Sequence, residues 1–172
     1  DRATAVDIYP LGGNIAVAGV SDVGGGGNNF ALASYETDGS LNDDFSVDGR
    51  TTTDIASGND QAFSLIILAN GKLVAAGTTD STGSNSFALV AYAINGALDS
   101  NFGVDGITLT DFTAGDDQVR GLALQVNAKI VAAGFAADDI ALARYDGEAA
   151  DIVVTGADEG TRPIVHVYDA RE

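Results

Sequence analysis

A set of residue blocks returns in fixed order along this chain, and such periodicity confines the fold to architectures made by stacking one unit on the next. The first block reads Ile15-Ala-Val-Ala-Gly19, Leu73-Val-Ala-Ala-Gly77 and Ile130-Val-Ala-Ala-Gly134, its glycines 58 and then 57 positions apart. A polar stretch follows each copy, and then Phe30-Ala-Leu-Ala-Ser-Tyr35, Phe87-Ala-Leu-Val-Ala-Tyr92 or Ile140-Ala-Leu-Ala-Arg-Tyr145. Phe45-Ser-Val-Asp-Gly49 and Phe102-Gly-Val-Asp-Gly106 each lead into a Thr-rich run, Thr51-Thr-Thr-Asp54 and Thr108-Leu-Thr-Asp111. Asp1-Arg-Ala-Thr-Ala-Val6, Asp60-Gln-Ala-Phe-Ser-Leu65 and Asp117-Gln-Val-Arg-Gly-Leu122 hold the same phase.

One period contains four strands. In the second copy they are expected at 62–69, 72–78, 86–93 and 107–112. Asn70-Gly71 suits a two-residue type I′ hairpin turn between the first two, and the Gly, Ser and Asn content of 79–85 suits an exposed connection. The second and third strands are nearly continuous apolar runs, which predicts burial on both faces. Ala18, Ala76 and Ala133 are expected between sheets, where small side chains allow close approach, and Gly19, Gly77 and Gly134 are expected to end the same strand.

The fold class that follows is all-β: tandem four-stranded antiparallel blades, forming a partial or assembled β-propeller. A β-solenoid is the main alternative, but its coils are far shorter than this period. The β-branched runs and the missing 3.6-residue periodicity exclude a helical repeat. The units are drawn at about 1–59, 60–116 and 117–146, with 147–172 as a strand pair completing or following the third blade. Propellers close with four to eight blades. The chain therefore belongs to a longer protein, associates with further copies, or stands open with its ends capped by partners.

Composition narrows the chemistry. Of 172 residues 45% are hydrophobic, enough for a core, and 22 glycines with only two prolines fit many short strands and tight turns. Eight basic against 25 acidic residues give a formal charge of −17, which repels phosphate backbones and excludes nucleic acid as a partner. Solubility with Asp in turns, a saline habitat and bound divalent cations are three readings of that acidity. Zero cysteines exclude disulfides, a thiolate nucleophile and Cys-ligated zinc. No run approaches the roughly 18 apolar residues of a membrane span, so no membrane insertion is expected. The chain opens at Asp1 without Met, and a removed leader or an upstream domain is expected before it.

The pattern of Asp38-Gly-Ser-Leu41, Phe45, Asp48-Gly49, the run ANGKLVAAG at 69–77 and FALVAY at 87–92 resembles the bacterial delta-60 repeat. The resemblance covers about residues 1–146. It implies a β-propeller unit of large secreted and surface proteins, with a scaffold or adhesion role and no activity that carries over to this chain. The tail departs from it: Asp151-Ile-Val-Val-Thr-Gly156 and Pro163-Ile-Val-His-Val-Tyr-Asp169 look like the FG-GAP/VCBS-type repeat of other secreted propellers. The calcium loop of that repeat is not intact here, where only Asp146, Glu148 and Asp151 stand near the right place.

Few residue sets could carry chemistry. His166 is the lone histidine, alternating with apolar residues in a short strand, so no Ser-His-Asp arrangement is expected. Gly24-Gly25-Gly26-Gly27 matches no phosphate-loop pattern and reads as an inter-strand loop. Calcium is the candidate cation, since it takes oxygen ligands. Asp1, Asp60 and Asp117 recur at one repeat phase, and Asp116/Asp117 and Asp138/Asp139 are adjacent pairs. On radial blades the three equivalent aspartates form a ring that could bind Ca²⁺ or a cationic ligand; alternatively, each fixes a strand entrance by accepting backbone N–H groups. Asp38, Ser40, Asn42 and Asp44 alternate like cation ligands, but the second copy reads Asn95, Ala97, Asp99 and Asn101, which favours a capped turn.

The function expected from this is a non-enzymatic secreted or cell-surface structural or adhesion module that acts through a protein partner or further copies of itself. Its rival is a calcium-dependent propeller module binding a surface glycan or a peptide. A third reading is a glycan-active enzyme with catalytic residues in another domain; here nothing singles out two carboxylates.

Overall fold

The computed structural model describes residues 1–146, apart from 23, 25, 26 and 82, together with the backbone of a strand at 152–155. Every regular element among them is a β-strand. The first antiparallel sheet runs in chain order through β1 (Arg2–Ile8), β2 (Ile15–Asp22), β3 (Asn28–Tyr35) and β4 (Arg50–Thr53). The second holds β5 (Gln61–Ile67), β6 (Leu73–Thr79), β7 (Ser86–Tyr92) and β8 (Ile107–Thr110). The third holds β9 (Asp117–Leu124), β10 (Lys129–Ala136), β11 (Asp139–Asp146) and β12 (Ile152–Thr155). These are stacked propeller blades, and the three do not close into a ring. Contacts between sheets run chiefly through β1, β5 and β9, so the first strands form the inner edge of the stack. The strand expected around His166, most of the FG-GAP-like tail, and Glu148 and Asp151 lie outside the described residues.

The hairpin between β5 and β6 is set by one local device. Between β5 and β6 the amide of Leu68 donates to Lys72 O at 2.8 Å and that of Gly71 to Leu68 O at 2.9 Å. Gly71 has φ 82°, whereas Asn70 is absent from the positive-φ residues. A type I′ turn needs positive φ at both central residues. The expected two-residue turn is therefore a three-residue loop, a type I turn followed by a left-handed glycine. Ala93–Gly96 and Glu36–Gly39 repeat the same pair of bonds.

The glycines at 19, 77 and 134 do not end their strands, contrary to expectation: β2, β6 and β10 continue two or three residues past them. Opposite each glycine the first strand bulges. Ala3 pairs with Gly19 and Ala5 with Ala18, leaving Thr4 as an extra residue. Phe63 and Arg120 are the extra residues in the other two sheets. The bulge presses a carbonyl onto the glycine, where an added methyl would overlap the oxygen of Arg2, Gln61 or Gln118. Close backbone approach, not strand termination, is what requires glycine here.

Burial follows position in the stack. Every residue of β6 and β7 is buried, as their continuous apolar character predicts, because the middle sheet is covered on both faces. In the outer sheets the same strands alternate. One core layer sets Ala16, Ala18, Phe30 and Leu32 of the first sheet against Leu65, Leu73, Ala75, Ala88, Val90 and Tyr92 of the second. The next sets Val74, Ala76, Phe87 and Leu89 against Ile130, Ala132, Ala141, Ala143 and Tyr145 of the third. Ala18 and Ala76 are buried as expected. Ala133 is exposed, since among the described residues no further sheet lies on its face of the third sheet.

Ala76→Leu is expected to overpack the layer and lower unfolding free energy by about 1–3 kcal/mol. The repeat-equivalent Ala133→Leu should stay within about 0.5 kcal/mol of the parent in the dilute monomer. Urea unfolding of both variants checks the stacking, and equal costs would contradict it.

Candidate functional site

The aspartates at the common repeat phase sit at the joints between blades. Asp60 Oδ2 accepts the Ile55 amide and Asp117 Oδ2 the Phe112 amide, both at 2.6 Å. Each carboxylate thus ties the residue just past one sheet's fourth strand to the entrance of the next sheet. Asp117 Oδ1 also accepts the Thr113 hydroxyl at 3.1 Å. From the same joints, the Asp60 amide donates to Asn28 O at 2.7 Å and the Asp117 amide to Asn85 O at 2.8 Å. Asp1 is exposed, and its Oδ1 accepts Ser21 Oγ at 3.1 Å and the Asp22 amide at 3.2 Å. Asp1, Asp60 and Asp117 are not brought together, and no group of three or more metal-ligating side chains occurs among the described residues. Asp116 accepts both the amide and the side-chain nitrogen of Asn85.

Burial raises the Asp60 carboxyl above the usual carboxylate range, and the charges of Asp54 and Asp80 add to the effect; the Thr79 hydroxyl and Ile55 amide pull the other way. Asp60 Oδ1 is buried without a hydrogen-bond partner. It shares a small space with Thr79 Oγ1 and Asp80 Oδ1, which lie 2.7 to 3.0 Å, like Oδ1 itself, from where a side chain on Gly58 would begin. Burial also raises Asp117, against the bonds from Phe112 and Thr113. Asp99 differs: burial pushes it up, but the Lys72 ammonium at 2.6 Å and the Asn101 amide outweigh that and hold it low. The alternating residues at 38–44 and 95–101 form capped turns, with Asp38 Oδ1 on the Ser40 amide, Asn42 on Asp44, Asn95 on Ala97 and Asp99 on Asn101.

Two kinds of inter-blade contact are absent from the reading of the sequence. Tyr92 and Tyr145, closing each FALVAY-type block, reach across to the last Thr of the preceding Thr-rich run: Thr53 at 2.7 Å and Thr110 at 2.9 Å. Constant phase of Tyr and Thr was the available signal. The extra residues of the bulges also meet across the joints. Thr4 Oγ1 donates to Ala62 O at 2.7 Å, and the Arg120 guanidinium lies 5.2 Å from the Phe63 ring and 5.5 Å from that of Phe135.

The largest unspent resource is the pair of outer blade faces. Val6 on the outer face of the first sheet is 65% exposed, while Leu65, its repeat equivalent between blades, is 6% exposed. Ile140 on the outer face of the third sheet is 68% exposed, while Phe30 and Phe87 at the same position are fully buried. On the first face Val17, Ala31, Ala33 and Tyr35 line a shallow groove of about 340 Å³ together with Asp1, Arg2 and Arg50. The chemistry of these faces is that of a core layer, yet each is half of one.

A folded pKa raised at Asp60 contributes stability that is present below the ordinary carboxylate range and fades as pH rises through the folded value. Asp60→Asn keeps an acceptor for Ile55 and removes the buried charge. It is expected to be at least as stable as the parent at pH 7, with its advantage shrinking as pH falls toward the carboxylate range. Asp60→Ala strands the Ile55 amide and should cost about 1–3 kcal/mol. Urea unfolding across pH checks both; an advantage for Asp60→Asn that grows on acidification contradicts the assignment.

Residues 68–102 match the model of a family described as a domain of unknown function (DUF5122), beta-propeller. The match begins at the end of β5 and runs through β6 and β7 to Phe102, the middle of the stack. No curated protein matches the chain. Three stacked four-stranded sheets and this match together make the chain a propeller-type repeat protein.

Proposed function

We propose that this chain is a non-enzymatic structural or adhesion module of a secreted or cell-surface propeller-repeat protein, working by apposition of blades. The blocks at 1–146 ally it with the delta-60 type, and 147–172 with the FG-GAP/VCBS type. The observation that carries the reading is that repeat-equivalent apolar residues are buried inside the stack and exposed at its two ends, Leu65 against Val6 and Phe87 against Ile140. Burying apolar surface is worth about 25 cal/mol per Å², so both ends favour a covering surface. The side chains held at constant phase support the same reading. Asp60, Asp117, Tyr92 and Tyr145 serve the joints between blades rather than an open cleft. The surface charge of −17 suits a module kept soluble until its flanks are covered.

Two copies joined by a flexible linker test whether these flanks accept blades. The linked pair is expected to unfold at a higher midpoint than a linked pair carrying Val6→Lys and Ile140→Lys in both halves. Equal midpoints would overturn the reading.

A second reading, a calcium-dependent glycan- or peptide-binding module, is favoured by the unpartnered Asp60 Oδ1 beside Thr79 Oγ1 and Asp80 Oδ1. It expects Ca²⁺ to raise the parent's unfolding midpoint by mass action and to leave Asp60→Asn unmoved. A midpoint indifferent to Ca²⁺ in the parent removes this reading.

A further inference from the structure

The two exposed flanks differ from each other, and the difference specifies what covers them. Inside the stack every joint sets the trailing face of one sheet against the leading face of the next. The trailing face of the first sheet carries Ala18, Phe30 and Leu32; the leading face of the second carries Leu65, Ala75 and Tyr92. The free flank of the first sheet is a leading face, with Val6, Val17 and Tyr35 at the positions of Leu65, Ala75 and Tyr92. The free flank of the third is a trailing face, with Ala133, Ile140 and Leu142 at the positions of Ala18, Phe30 and Leu32. The described stack therefore presents the two complementary halves of its own internal joint.

We infer that a second copy of this chain docks head to tail, the trailing face of each third sheet on the leading face of the other copy's first sheet. The inference rests on the flank-docking reading above and names the partner. Such a contact is heterologous, joining different patches on the two partners, and forms a ring where the rotation closes. Three sheets per copy give six from two copies, within the four to eight of closed propellers.

Like charge opposes the approach of two copies at −17 each. At 0.15 M ionic strength that repulsion is screened beyond about 8 Å, while apolar contact is not.

Sedimentation velocity at 0.15 M NaCl tests the inference on the full 172-residue chain. The parent is expected to run at twice the 17.4 kDa chain mass. Val6→Lys blocks only the leading face and Ile140→Lys only the trailing face. Both positions are more than half exposed, so each variant should keep the parent's circular dichroism. Each substitution also lowers the net negative charge, so lost association is not electrostatic. Each variant alone is expected to be monomeric, and an equimolar mixture to form dimers, since the mixture restores one good pair of faces. A monomeric parent, or a dimer of either variant alone, overturns head-to-tail docking. A ladder of masses from the parent overturns the closed ring. A higher midpoint in the linked pair combined with a monomeric parent would leave the flank reading standing and show that a free second copy binds too weakly to be the partner.

Discussion

Two β-sheets stacked face to face sit about 10 Å apart, which leaves room for one interdigitated layer of side chains. That spacing is the constraint on which the rest of this molecule depends. It explains why the second strand of each unit carries an Ala-Gly pair at its centre, and why the third alternates Phe or Leu with Ala. Large side chains from one sheet fill the space left by small ones on the next. The chain has no Trp, Met or Cys, so stability comes from this layer and from strand pairing. The bulges of β1, β5 and β9 belong to the same design. Each turns an inner strand toward its neighbour and presses a carbonyl against the glycine of the second strand.

Polar groups at the joints answer a second demand, that buried donors and acceptors be paired. A strand that leaves one sheet and enters the next exposes amides that no ladder satisfies. Asp60 and Asp117 meet the amides of Ile55 and Phe112, and Asn28 and Asn85 return carbonyls to the aspartates' own amides. The hydroxyls of Tyr92 and Tyr145 are satisfied across the joint by Thr53 and Thr110. Repetition of these bonds at both joints makes the stack directional, with a leading and a trailing face on every blade.

Much of this architecture was legible in the sequence because stacking repeats its needs at a fixed interval. The apolar runs of β6 and β7 announced burial on two faces, and the four-strand period announced blades. What was not legible depends on place in the stack and on backbone register. Ala133 has the same neighbours in sequence as Ala76 and the opposite exposure, because no sheet among the described residues lies beyond it. The repeated glycines signalled a special backbone position, but strand termination and close approach leave the same mark in one sequence. The three-residue loop at 69–71 differs from a two-residue turn in the φ of Asn70 and in closing on Leu68 instead of Ala69. Asp1, Asp60 and Asp117 share a repeat phase without sharing a space: Asp60 and Asp117 each serve a joint, and Asp1 lies exposed at the open end.

The absence of native cysteine allows the stack to be tested position by position. Single cysteines placed at Val6, Leu65, Phe87 and Ile140 form two repeat-equivalent pairs, one member of each inside the stack and one at its end. Thiol-labelling rates of the folded chain at nanomolar concentration measure their accessibility directly. Fast labelling at 6 and 140 with strong protection at 65 and 87 is the result predicted by stacked blades with two open flanks. Protection of all four positions in the dilute monomer would contradict it, because the ends would then be covered from within the chain.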